Sequence, residues 1–275
     1  MQNISIRVWL FNAVKYLVYG YLAWNAFQFY LDEAEVHRIT YPEGLTWAQI
    51  IEVYSATIDS FFWLFLVAIL ELETYVIDDD VLQKPGVKFG LIGLRSLSYA
   101  MIIYALYGYW TKFGFQSDIS PLMIKDACEL VGQNYNILVA LEDYIPLTAE
   151  NCGSLAGQEL FRLSNEDIIA PKADLIYARN VAAIDVVNAS TWLGVVAVLE
   201  VDVWYQLKGG FKGLLLKASS FIKVALYSIL FACALAWGFT GVFLDTIDAV
   251  LWLFAFFFIE LNLFQWQHET EQAEG

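Results

Sequence analysis

Two histidines, three cysteines and 15 lysines and arginines, against 30 aspartates and glutamates, are all that this chain of 275 residues offers in those classes. Each shortage removes a kind of chemistry. His37 and His268 are the only imidazoles and no two share an apolar stretch, so haem ligated by paired histidines inside a bilayer is excluded. No HExxH, Gly-rich phosphate loop or GxSxG occurs, and no nucleophile, base and metal set can be assembled, so no enzyme is expected. Glu33, Glu35 and His37 lack a matching histidine, and Asp78 to Asp80 reads as a solvated helix end. No metal and no cofactor is therefore expected. A net charge of -15 and a pI near 4.4 work against nucleic acid, whose phosphates would be repelled.

What is present is apolar. Hydrophobic residues make up 59% of the chain, charged residues only 16%, and mean hydropathy is +0.54, well beyond an ordinary soluble domain. Six runs are long enough to cross a hydrocarbon layer of about 30 Å at roughly 1.5 Å per residue: 8 to 30, 56 to 77, 89 to 111, 185 to 206, 218 to 243 and 246 to 266. None alternates like a membrane barrel strand, and lone strands leave unpaired amides in lipid, so all six are expected to be helices. The run beginning at Trp9 is too long for a cleaved leader and is expected to stay as a signal anchor.

A skeleton recurs within these runs. Asp59, Trp63, Leu64 and Glu71 return at the same spacing as Asn188, Trp192, Leu193 and Glu200, and again as Asp248, Trp252, Leu253 and Glu260. Thr57-Ile58 also returns, as Thr246-Ile247. The alternate runs carry a basic residue four before a tyrosine: Lys15 and Tyr19, Arg95 and Tyr99, Lys223 and Tyr227. The expected fold is thus an all-α membrane protein of six transmembrane helices arranged as three pseudo-repeated hairpins. Threefold hairpin repetition resembles the plan of mitochondrial-type solute carriers, but their Pro-x-Asp/Glu-x-x-Lys/Arg signature is missing, and no family is assigned.

Residues 113–183 interrupt the middle hairpin as a polar insertion, with helical apolar spacing in Ile124 to Val139 and Leu155 to Leu163 and a helix start at Ser164 to Asp167. A small, mainly helical domain outside the bilayer is expected there. It lies between transmembrane helices 1 to 3 (1–112) and 4 to 6 (184–268), with an acidic tail at 269–275. A short helix is expected over Trp47 to Tyr54, and a tight turn around Asp245. Arg7, Lys84, Lys88, Lys208, Lys212 and Lys217 fall on one side of a six-span chain, which makes that side cytoplasmic with both termini inside, most simply at a bacterial inner membrane. The insertion then faces an oxidising space, where Cys128 and Cys152 are expected to form a disulfide; Cys233 lies within a span.

This topology sets Lys15, Arg95 and Lys223 at about the depth of Glu71, Glu200 and Glu260, roughly 10 Å beneath the cytoplasmic interface. Charges there cost a few kcal/mol each unless paired, and pairing within each hairpin is expected to remove most of that. Two functions follow. In one, Glu71, Glu200 and Glu260, with Asp59, Asn188 and Asp248 toward the outer mouth, pass protons or small cations as a channel or transporter. In the other, the pairs are staples in a non-transporting scaffold or sensor whose outer domain binds a partner. An aromatic content of 17% suits lateral packing as a homo-oligomer or subunit of a membrane complex.

Overall fold

The computed structural model describes residues 2–41, 44–82, 84–124, 126–140, 143–163, 166–206 and 214–256. Eight helices are present among them: α1 (Gln2–Thr40), α2 (Trp47–Val53), α3 (Ser55–Glu71), α4 (Asp79–Leu82), α5 (Pro85–Ser117), α6 (Lys172–Gln206), α7 (Leu214–Thr240) and α8 (243–256). The chain divides into two compact units, Gln28–Ala189, and Met1–Phe27 with Ser190–Gly275.

Each of the six apolar runs is helical over its described length apart from Ile77, Gly241 and Val242. Residues 257–266 of the last lie outside the described residues, as does the expected tail. Three helical stretches, Pro85–Ser117, Lys172–Asp202 and Lys217–Thr240, are long and apolar enough to cross a membrane. Among the described residues three such helices are present; six are not shown. Asn12, Lys15, Asn25 and a series of tyrosines dilute α1, and α3 ends as an α-helix after 17 residues, passing into a π-helical turn at Leu72–Val76. The short helix expected over 47–54 is present as α2, opened by Thr46, whose backbone N–H donates to Gln49 Oε1 at 2.9 Å.

The chain is mostly helical, but it is not all-α. Where a mainly helical insertion was expected, the structure has a five-stranded sheet ordered β1-β4-β5-β2-β3: β1 (Ile119–Pro121), β2 (Asn136–Ala140), β3 (Asp143–Pro146), β4 (Leu160–Leu163) and β5 (Ile168–Pro171). The neighbours are antiparallel except β2 with β5. Helical spacing in 124–139 is broken by Gly132 and Asn134, both at positive φ, and in the second stretch by Gly157, at φ +76°. Among the described residues between β1 and β5, two short 3-10 turns remain, Ala127–Leu130 and Cys152–Leu155. The apolar residues then fall into a period of two. Leu138, Leu163, Ile168 and Ala170 face one core with Val36 and Ile39 of α1, Phe115 of α5, and Leu175 and Ala178 of α6. Ile137, Leu160 and Ile169 face another, covered by the two 3-10 turns. Both edge strands end in proline, Pro121 and Pro146, which has no N–H to offer an added strand.

Within Gln28–Ala189, α3 lies along α5, and α2 crosses α5 at Gly108. A Cβ there would stand 2.4 Å from the Ile51 carbonyl oxygen, so only glycine permits this approach. In the other unit α7 is closed by Gly241 at φ +84° and by Val242 N–H donating to Trp237 O at 3.0 Å. The turn expected around Asp245 is thus found before α8, and Asp245 is helical.

Candidate functional site

The tryptophans of the recurring skeleton are interior in all three copies: Trp63, Trp192 and Trp252 are 4%, 5% and 6% exposed. Trp192 stacks against Phe256 with ring centroids 4.5 Å apart. The polar positions differ more. Asp59 is half-buried and accepts from Tyr109 Oη at 3.4 Å. Asp248 accepts from Asn25 Nδ2 at 3.4 Å, and Asn188 keeps a buried Oδ1 with no hydrogen-bond partner among the described residues. Glu71 is half-buried, Glu200 is exposed, and Glu260 lies outside the described residues.

Two of the basic positions are engaged by acids on neighbouring helical stretches. Arg95 pairs with Glu73, and Lys223 pairs with Asp202, Nζ to Oδ2 at 2.9 Å; the acids expected within their own hairpins were Glu200 and Glu260, of which Glu260 lies outside the described residues. Ser219 Oγ also donates to Asp202 Oδ1, at 2.6 Å. Two residues along an α-helix turn the side chain by about 200°, so Glu73 and Asp202 leave the chain on different faces from Glu71 and Glu200. The π-helical turn at Leu72–Val76 adds its own rotation around Glu73. Each of the two pairs joins a base to the helical stretch that precedes it along the chain, the π-helical turn after α3 with α5, and α6 with α7. The two pairs are equivalent by position: each acid is ten residues past the skeleton tryptophan, 63 to 73 and 192 to 202, and each base four before a tyrosine. Lys15 is fully buried.

A further polar group, missed by spacing, surrounds the start of α3. Glu33, 4% exposed, reaches from α1 and accepts from both Ala56 N–H at 2.8 Å and Thr57 N–H at 3.0 Å, serving as an N-cap supplied by another helix. Lys112 on α5 is buried and acts on the carboxyl electrostatically. Burial outweighs Lys112 and the amides, pushing the Glu33 carboxyl up to about 7. His37 Nδ1 lies 3.0 Å from Tyr54 Oη, and Tyr54 stacks on Tyr30. Glu35 instead pairs with Arg38 on the surface, so Glu33, Glu35 and His37 go separate ways and do not form a metal cage. Lys112 and Asp185, both buried, carried one available signal: a charge at or just beyond the end of an apolar run.

In the sheet domain, Cys128 and Cys152 are joined as a disulfide with Cα atoms 5.0 Å apart, tying the two 3-10 turns together. Cys233 is buried and reduced. Comparison with protein-family models, with curated proteins and with solved structures returned no match.

Proposed function

We propose that the chain is a membrane-embedded scaffold or sensor subunit that does not transport, with charge pairs that fasten neighbouring helices and a disulfide-closed sheet domain that meets a partner outside. The observation that carries this reading is the engagement of Arg95 by Glu73 and of Lys223 by Asp202, at matching positions in the sequence. A buried charge with its partner removed is costly, whereas an engaged pair is an ordinary way to join two apolar helices. The sheet domain sits at an end of α1, α5 and α6, where a bound partner acts directly on helix ends. On this reading the protein resides in a bacterial inner membrane with cytoplasmic termini, in an oligomer or larger complex.

The test is an exchange of charges. Asp202→Lys and Lys223→Asp should each lower the melting temperature in detergent, and the two together should restore most of it. Failure of the double variant to recover would sink the staple.

A second reading, movement of protons or small cations, is favoured by one observation: Glu33 and Asp59 are two carboxyls within each other's field at the head of α3, with Lys112 acting on Glu33. On that reading Glu71→Gln, Glu200→Gln and Glu260→Gln each reduce flux in proteoliposomes at unchanged expression. Flux that is absent in the wild type, or indifferent to all three, removes it.

A further inference from the structure

The start of α3 is unusual in how its amides are satisfied. No side chain of its own N-cap, Tyr54, accepts a bond; the acceptor is the carboxyl of Glu33, 23 residues earlier on α1. Both oxygens are in use, one on Ala56 N–H and one on Thr57 N–H. An ionised carboxylate can serve two amides at a helix N-terminus and is drawn there by the positive end of the dipole. A protonated one keeps a single good acceptor and turns its other oxygen into a donor, so one amide loses its partner. In the same turn Ser55 Oγ is buried without a hydrogen-bond partner among the described residues, leaving an unmade bond that a rearranged turn can form.

The charged and titratable groups facing Glu33 are few. They are Lys112 from α5, Asp59 from α3, and Tyr54 at the junction of α2 and α3; His37 and Tyr30 lie behind Tyr54. Lys112 favours the ionised carboxylate and Asp59 opposes it, so the two oppose one another across one buried carboxyl.

We propose that Glu33 is a proton-operated latch between α1 and α3, which holds both leading amides of α3 when ionised and releases one of them when it takes up a proton from solvent. The same end of α1 packs on the sheet through Val36 and Ile39, so the latch lies beside the contact between the helices and the sheet domain. The proposal rests on α1, α3 and α5 alone and is independent of whether the protein scaffolds or transports. Burial of the carboxyl brings its titration near neutrality, within reach of an acidifying compartment.

Hydrogen exchange tests it in the intact protein in nanodiscs. After correction for intrinsic rates, protection of Ala56 and Thr57, relative to amides deeper in α3, should rise several-fold between about pH 6 and about pH 8. Glu33→Gln should abolish the dependence, Glu35→Gln should leave it, and Lys112→Met should move its midpoint upward, because a charge favouring the carboxylate has gone. A merely structural cap would not shift its midpoint with Lys112. Flat protection in the wild type, a dependence that survives Glu33→Gln, or a midpoint indifferent to Lys112→Met each overturns the latch. Should Glu33→Gln fail to fold, infrared spectra of the wild type decide: a carboxylic C=O band that vanishes near neutral pH is expected, and its absence overturns the proposal.

Discussion

Breaking the Cys128–Cys152 link should loosen the sheet domain by an amount the chain itself sets. The bond closes a loop with a sequence separation of 24, which corresponds to about 3 kcal/mol of lost denatured-state freedom. The two turns it ties cover Ile137, Leu160 and Ile169 with Ala127, Leu130 and Leu155, so without it a handful of apolar contacts must hold the cover. Cys152 is buried at 3% exposure whereas Cys128 is exposed, so Cys128→Ser removes the bond without inserting a hydroxyl into the core. The assay is hydrogen exchange at β2 and β5, whose amides report opening of that core. Protection there should fall by about 10²-fold in Cys128→Ser, and equally on reduction of the wild type, since each 1.4 kcal/mol is about tenfold. Alkylation of the unfolded, unreduced protein should modify Cys233 alone. Labelling of all three cysteines, or protection unmoved by reduction, would refute the reasoning.

Other perturbations have defined outcomes. Gly108→Ala drives a methyl against the Ile51 carbonyl and should cost about 1–3 kcal/mol, read as a lower melting temperature; an unchanged value would mean α2 is not seated there. Trp63→Ala empties a site that is 4% exposed and should cost about 3–5 kcal/mol, with a loss under 1 placing that ring on the surface. Because the Glu33 carboxyl is raised in the folded state from 4.5 to about 7, its contribution to stability is fully present below about pH 4.5 and is lost as pH rises through 7. The loss is about 3 kcal/mol between those limits, and Glu33→Gln should flatten that part of the profile. The local bonds to α3 strengthen as the folded-state carboxyl ionises around pH 7, so between about pH 6 and about pH 7 protection at Ala56 should rise while the melting temperature falls.

Hydropathy located every helix that carries an apolar run, because burying a backbone away from water demands internally bonded amides whatever the neighbours do. The recurrence of Trp63, Trp192 and Trp252 likewise marked three interior positions, and the pairing of Cys128 with Cys152 was legible from composition, since only one other cysteine exists and it lies in a span. Arg95 and Lys223 were recognised as bases needing acids. Which acid each would take was not legible: Glu71 and Glu73 stand two residues apart on different faces, and the choice depends on where the next helix packs and on a π-helical turn that no local preference announces. The sheet was hidden for a similar reason. Ile137, Leu138, Ile168 and Ile169 are short apolar runs compatible with either helix or strand, and positive φ at Gly132, Asn134 and Gly157 together with the platform of α1, α5 and α6 selected strands. Glu33 shows the division most plainly. Its sequence neighbours mark it as one more acid in a polar stretch, and only the approach of α1 to the open end of α3 brings it to two unsatisfied amides, 23 and 24 residues away along the chain. Periodicity and composition act through nearest neighbours and so are written in order along the chain; a hydrogen bond between distant helices exists only once packing has brought its two ends within 3 Å.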